Sequence, residues 1–438
     1  MSTIHATHDG WSLPREIVFK IIDHIADERR RRPRGSAEQY TDFPCTLVLR
    51  NLALTCRSLS DYCHPIIFAE ITVRDRERPG SDQFAFTTKR WAKLLDHSHG
   101  VARRVNSLVI SIGSRDSIEP LQSWSSSRRK WNRLTRRYSL EAARKAFLKA
   151  VQQDYPCLEQ LNIQVVAPWP ALLAEVQEGI MKLLRTSTLS RLKLDLSDFP
   201  LERLRLCCNI QQLMLTTHLR HHPFPRPVPT GEESPGFRLE LKGLYLFGGY
   251  VSGDALEGMI SESSPLNLTE CNHIRLPIDF MSSFSSIHAK FLEHAPRLTT
   301  LDLIFRKPKD QPRLPSLQVP LNLATLPALE VLSITVENPT EELHSVCHWL
   351  SCSAGTIPAT SPSEPPKIKL CLRATGKDVG EDNTLEGQDA LERFYRDVWS
   401  GLLGRAESDY PGFRALTIYG RGWVSTEEVI RLGRLPPG

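Results

Sequence analysis

The sequence predicts an α/β chain in which a small amino-terminal helical module precedes an irregular solenoid of short strands and helices. Three observations carry this. Apolar residues near the start recur at the helical period. An apolar-x-x-apolar-x-apolar pattern recurs downstream at gaps of mostly 27 to 31 residues, and Pro- or Ser-rich stretches separate many of the copies.

Bulk composition permits such a fold. The 438 residues are 40% hydrophobic and 24% charged, so a sizeable core is available and wholesale disorder is not expected. A net charge of +5 over this length does not by itself point to nucleic acid. No apolar run approaches the roughly 20 residues that span a bilayer. Met1 to Gly10 lacks the apolar core of a secretory signal. The expectation is a soluble protein of the cytoplasm or nucleus with no membrane partner. The ten cysteines form no CxxC pair and read mostly as small buried hydrophobes, not as a disulfide framework.

Ser12 is placed to cap a first helix, Pro14 is tolerated in its first turn, and Glu16 suits the positive end of its dipole. Leu13, Ile17, Val18, Ile21, Ile22 and Ile25 then form one stripe at the helical period. Leu49, Leu52, Ala53, Cys56, Leu59 and Cys63 write a second helix, which Pro65 is expected to stop. So few short helices make a poor independent core, and their apolar surface needs cover from the rest of the chain or from a partner.

These residues carry a resemblance. Leu13-Pro14-Arg15-Glu16-Ile17 with Ile21-Ile22, then Leu52 through Leu59, then Ile67-Phe68-Ala69-Glu70-Ile71 resemble an F-box, with the order and tail of basidiomycete fungal F-box proteins. The resemblance implies docking on the Skp-type adaptor of a cullin-RING ubiquitin ligase through Leu13, Pro14, Ile17, Val18, Ile21, Ile22, Ile25, Leu52, Cys56 and Leu59. Two departures stand out: a long insertion at 27–45, and Leu59 where many members carry Trp. The module is assigned to 1–75 and the body to 76–438.

In the body the repeated pattern opens at Val105, Leu158, Leu189, Leu201, Ile210, Leu241, Cys271, Leu298, Leu329 and Phe413. Helix-like segments at 139–154, 281–294 and 388–407 precede three of the copies, and a Pro after each of these helices acts as a stop-and-turn. Each unit is too small to bury its own apolar face, so stacking makes the chain fold. The pattern resembles leucine-rich repeats. It departs from them in lacking the Asn ladder, which only Asn209 keeps, and the copies at 201 and 210 are too close for two full repeats. Residues 221–236, 307–320, 351–367 and 375–388 read as exposed loops, and a helix near 391–403 as the carboxyl-terminal cap. A helix carrying Trp91, Leu94 and Leu95 is expected to bury the seam between module and body.

Catalytic signatures are absent: no GxSxG elbow, phosphate-binding loop, GxGxxG after a strand or HExxH. His218, His221 and His222 lie beside four prolines, where no fixed ligand set is expected, so neither metal nor cofactor is assigned. Basic runs at 29–34 and 128–137 suit nuclear import or a solvated loop better than specific nucleic-acid recognition.

The resulting expectation is a non-enzymatic adaptor. The module would hold the Skp-type adaptor and, through it, a cullin, while the body captures a target protein. Strand alternation puts Lys193, Tyr245 and Asp302 on the open face as target-binding candidates. The alternative is a repeat scaffold with no ligase role.

Overall fold

The computed structural model describes residues 3–5, 12–31, 43–74, 86–98, 100–112, 145–165, 168–217, 238–248, 251, 253–279, 284–306, 319–337, 349, 352–353, 356, 368–375, 413–420 and 428–431. The chain divides into two compact units, Met1–Ser190 and Arg191–Gly438. The expected boundary after residue 75 falls inside the first.

In the first unit, β1 (Thr3–His5) pairs antiparallel with β2 (Ser12–Pro14), and α1 (Arg15–Arg31) follows directly. Ser12 and Pro14 therefore lie in a strand before the helix, where the fixed φ of proline is equally at home. No helix breaker precedes Pro33, so α1 continues through Arg31. The expected insertion narrows accordingly, because α2 (Phe43–Thr55) already starts at Phe43. Residues 32–42, with the rest of the first basic run, lie outside the described residues.

The second expected helix is in fact two. Cys56 is extended at φ −156° and ψ 161°, separating α2 from α3 (Arg57–Ala69). The Thr55 hydroxyl donates to the Leu52 carbonyl at 2.7 Å. The Cys56 carbonyl accepts the Ser60 N–H at 2.9 Å and starts the new helix. Pro65 does not stop α3 but lies inside it. An interior proline costs about 3 kcal/mol. Here it is offset by packing, since Cys63 is buried and Ile66 and Ile67 lie against the same core. That core is Ile22, Leu49, Ala53, Leu59 and Cys63.

From Ala69 the chain passes without a linker into β3 (Glu70–Arg74), parallel to β4 (Phe86–Thr87) and to β5 (Ser107–Ile112). β5 pairs in parallel with β6 (Gln160–Val165). Between β4 and β5 in the chain, α4 (Thr88–His97) buries Trp91 and Leu95, as its apolar spacing requires. Trp91 Nε1 donates to the Tyr155 hydroxyl at 3.0 Å, which donates in turn to the Ala150 carbonyl at 2.9 Å in α5 (residues 145–152). Burial pushes the Tyr155 phenol well above its ordinary value. The seam helix is thus pinned to the unit by a buried hydrogen-bonded pair. α6 (Ala174–Leu184) follows, with Val176, Ile180, Leu183 and Leu184 buried.

The second unit is built on a mostly parallel nine-strand sheet. β7 (Arg191–Leu196) and β8 (Gln212–Thr217) are followed by a two-residue strand β9 (Leu239–Glu240), by β10 (Gly243–Gly248), and by β11 (Leu266–Asn267), which pairs with β9 apart from the main sheet. The sheet continues through β12 (His273–Asp279), β13 (Thr300–Arg306), β14 (Val331–Glu337), β15 (Ile368–Thr375), β16 (Phe413–Gly420) and β17 (Glu428–Arg431). Every pairing in it is parallel except β16 with β17. Helices α7 (Gly253–Ile260) and α8 (Ser286–Glu293) lie between strands in the chain, and the nine strands do not close into a barrel.

The repeated pattern explains the register. Leu192, Leu213, Leu244, Ile274, Leu301, Leu332, Leu370 and Leu416 are successive Cα partners. The first apolar residue of several copies closes a tight turn: the N–H groups of Cys271, Leu298 and Leu329 donate to carbonyls three residues back, at 2.9 to 3.1 Å. One backbone carbonyl before each strand then accepts two N–H groups of the next. Gln211, Lys242, Asn272 and Thr299 do this in turn, which sets the strands in step. Two copies depart from the expectation. Leu201–Leu206 forms a 3₁₀ turn and not a strand, because it must bridge β7 to β8 within a few residues. β15 was not legible because Lys367 stands where the other copies place their opening apolar residue.

The expected loops at 221–236 and 375–388 and the helix near 391–403 lie outside the described residues almost entirely, as do His218, His221, His222 and the run 128–137. Of the cysteines, Cys63, Cys207, Cys271 and Cys371 are buried, but Cys56, Cys157, Cys208 and Cys352 are exposed, so burial is not the general rule expected.

Candidate functional site

Two surfaces carry the candidate residues. On α1 the apolar stripe is wider than one core contact can cover. Ile22 is fully buried, and Val18 and Ile25 pack against the same cluster. Ile17 and Ile21, one turn apart on another line of the helix, remain 41% and 47% exposed. On α2, Leu49 and Ala53 turn inward and Leu52 packs at the margin, leaving Val48 at 41% and Leu54 at 82% exposure.

The ten expected docking residues therefore separate. Pro14, Ile17, Ile21 and Cys56 are exposed, while Val18, Ile25 and Leu52 are half-buried. Ile22 and Leu59 are corrected: both lie inside the three-helix core, where a partner does not reach. The side chain of Leu13 lies outside the described residues. Val48 and Leu54 were missed, and the signal was available in part, since Leu54 falls off the Leu49–Leu52–Ala53 stripe while Val48 sits at its edge. This patch can offer apolar contact area and little else.

The second surface is the sheet face opposite the leucine rows. Lys193, Met214, Tyr245, Arg275, Asp302, Ser333 and Cys371 form one row of Cα partners across it. Strand alternation puts them all on one side. Lys193, Tyr245 and Asp302 are half-buried, whereas Ser333 at 4% and Cys371 at 5% exposure are buried. Along this row, then, exposure falls from β13 to β14 and β15.

Near its middle the side chains hold one another. His273 Nε2 and Asp302 Oδ2 are 3.0 Å apart, and the Tyr245 and His273 rings lie 4.7 Å centre to centre. Gly243 makes room: a Cβ there would meet the Tyr245 ring at 2.9 Å. Burial alone would raise the Asp302 carboxyl, but hydrogen bonding and charge from His273, the Ser333 hydrogen bond and the Arg275 charge hold it below its usual value. Burial raises the Tyr245 phenol, aided by Cys271 and Asp302 and opposed by Arg191. Two cations share the Phe247 ring, Arg275 at 4.9 Å and Lys193 at 5.6 Å from its centre.

Chemically this is a hydrogen-bonding and charged surface. The nearby Cys271 thiol donates to the His273 carbonyl at 3.3 Å, and burial pushes it up to about 11, so it stays protonated at neutral pH. In the first unit, the Oδ1 atom of Asn162 is buried with no hydrogen-bond partner among the described residues. No protein-family model matches this chain, and no curated protein matches it significantly.

Proposed function

We propose that this chain is the substrate-recognition adaptor of an SCF-type ubiquitin ligase: an F-box-like module docks on a Skp-type adaptor, and a leucine-rich-repeat-like body captures a target. The observation that carries the reading is the division of the α1 stripe. Ile22 is spent on the module's own core while Ile17 and Ile21 remain exposed. Apolar side chains left over from so small a core suit a partner surface. In this reading no residue of the chain makes or breaks a bond. Its contribution is effective concentration, holding a target beside a conjugating enzyme carried by another subunit. A cytoplasmic or nuclear location and a cullin, reached through the adaptor, follow from the same reading.

The test is co-expression with a Skp-type adaptor and purification of the pair. Ile17→Asp combined with Ile21→Asp should abolish co-purification, because burying two unpaired charges costs several kcal/mol, enough to remove micromolar binding. The melting temperature should stay within a few degrees, since both side chains already face solvent. A native chain that captures no adaptor would refute the ligase role and leave a free-standing scaffold.

A further inference from the structure

The structure assigns the open end of the sheet face a partner chemistry: we infer that it binds an extended, acidic peptide segment. The inference rests on the reading of the body as the target-capturing part. It starts from charge. The described strand residues on this face include three fixed cations, Arg191, Lys193 and Arg275, and two carboxylates, Asp195 and Asp302. The Asp302 carboxylate is already taken by His273 and Ser333. Neither Arg191 nor Lys193 has an ion-pair partner among the described residues. Lys193 instead rests on Phe247, a ring it shares with Arg275. Lys193 is thus oriented but not neutralised.

The same ring chooses among anions. A nucleic-acid strand would need an uncommitted aromatic face for its bases. Phe247 is engaged by two cations, and Tyr245 leans on His273 with its ring over Gly243. A cationic ligand is excluded by the charges already crowding that ring. What remains is carboxylates carried on a slender backbone. In an extended peptide, side chains two residues apart share one side at a spacing of roughly 7 Å. That suits Arg191 and Lys193, two residues apart on β7, with Met214 between Lys193 and Tyr245 in the row offering apolar contact.

The experiment uses the full chain and fluorescence anisotropy with four labelled probes: a nonapeptide alternating Glu and Thr, its Gln and Lys analogues, and a uridine oligonucleotide. The Glu peptide should bind at least about tenfold more tightly than the Gln peptide and weaken as salt rises. Lys193→Glu and Arg191→Glu should each reduce its affinity about tenfold. Ile17→Asp with Ile21→Asp should leave it unchanged, which separates this result from the fate of the adaptor reading. Equal binding of the Glu and Gln peptides, no binding of either, preference for the oligonucleotide, or indifference to Lys193→Glu would each overturn the proposal.

Discussion

The helical module around Ile22 and the nine-strand sheet of the second unit solve the same packing problem with different success. In the sheet, each strand contributes a leucine or isoleucine to a continuous row, and Leu213, Leu244, Ile274, Leu301 and Leu332 are all essentially inaccessible to solvent. In the module, the three helices gather a core cluster of only five buried residues among those described and leave Ile17, Ile21, Val48 and Leu54 outside. A stacked architecture can pass its apolar surface from one unit to the next, whereas a lone helical trio runs out of neighbours. The module therefore has apolar area to offer a partner, and the sheet has polar side chains.

The largest expected effect tests the sheet half of that comparison. Leu244→Ala and Leu301→Ala should each lower stability by about 2–5 kcal/mol, since the rigid rows on either side keep the cavity from collapsing. Urea titration followed by intrinsic fluorescence measures this. A loss below about 1 kcal/mol at both sites would mean that the row is not a packed core.

The contrast inside α1 comes next. Ile22→Ala should cost about 2–4 kcal/mol, towards the low end because a small helical core relaxes more easily. Ile21→Ala, one residue away, should change stability by less than about 0.5 kcal/mol. Equal losses at the two positions would erase the division on which the proposed docking surface rests.

That contrast also marks how far the sequence could be read. The leucine positions were legible because an in-step parallel sheet repeats one chemical demand, and from Leu192 to Leu332 every strand of the row answers it with leucine except β12, which has Ile274. The face of α1 was legible only as a stripe. Periodicity gives the width of an apolar face but not how much of it a neighbouring helix covers, so Ile21 and Ile22 looked alike. Cys56 and Pro65 misled for a related reason. Local propensity placed the break at the proline, while tertiary packing around Cys63 placed it nine residues earlier. That Lys193, Tyr245 and Asp302 lie opposite the leucines was legible from alternation alone. The pairing of His273 with Asp302 was not, because two residues 29 positions apart meet only through register.

A third prediction places acid sensitivity in the sheet unit. His288 is buried at 2% exposure, its Nδ1 accepting the Ser285 N–H at 3.1 Å, so Nε2 carries the proton of a neutral ring. Burial pushes its pKa down to about 4 from 6.5. The sign follows: below pH 6.5 the unfolded chain takes up a proton that the folded chain refuses until about pH 4. Stability fully present at neutral pH is thus lost across that window, by about 3 kcal/mol. Asp302, held below its usual value, adds a loss of the same sign lower down, as pH falls through its folded pKa. His288→Gln should flatten the pH dependence of the urea midpoint between 7 and about 4.5. An unchanged slope would show that the imidazole reaches solvent before it titrates.

The smallest expected effect is the most discriminating for the proposed binding face. Leu192 and Lys193 are consecutive on β7, one at 1% exposure and the other half-buried on the opposite side of the sheet. Lys193→Ala removes a cation from the Phe247 ring at 5.6 Å and some methylene contact. An exposed contact of that kind is worth about 0.5–1 kcal/mol, so the loss should not exceed about 1 kcal/mol. Leu192→Ala should cost several times as much, for the reasons that hold at Leu244 and Leu301. The two variants differ by one position in the chain and share every other condition, so their ratio reports which side of β7 faces the core. If Lys193→Ala proved the costlier, the period-two alternation would be reversed along the strand. Lys193, Tyr245 and Asp302 would then be interior residues, and an acidic peptide would have no face on which to lie.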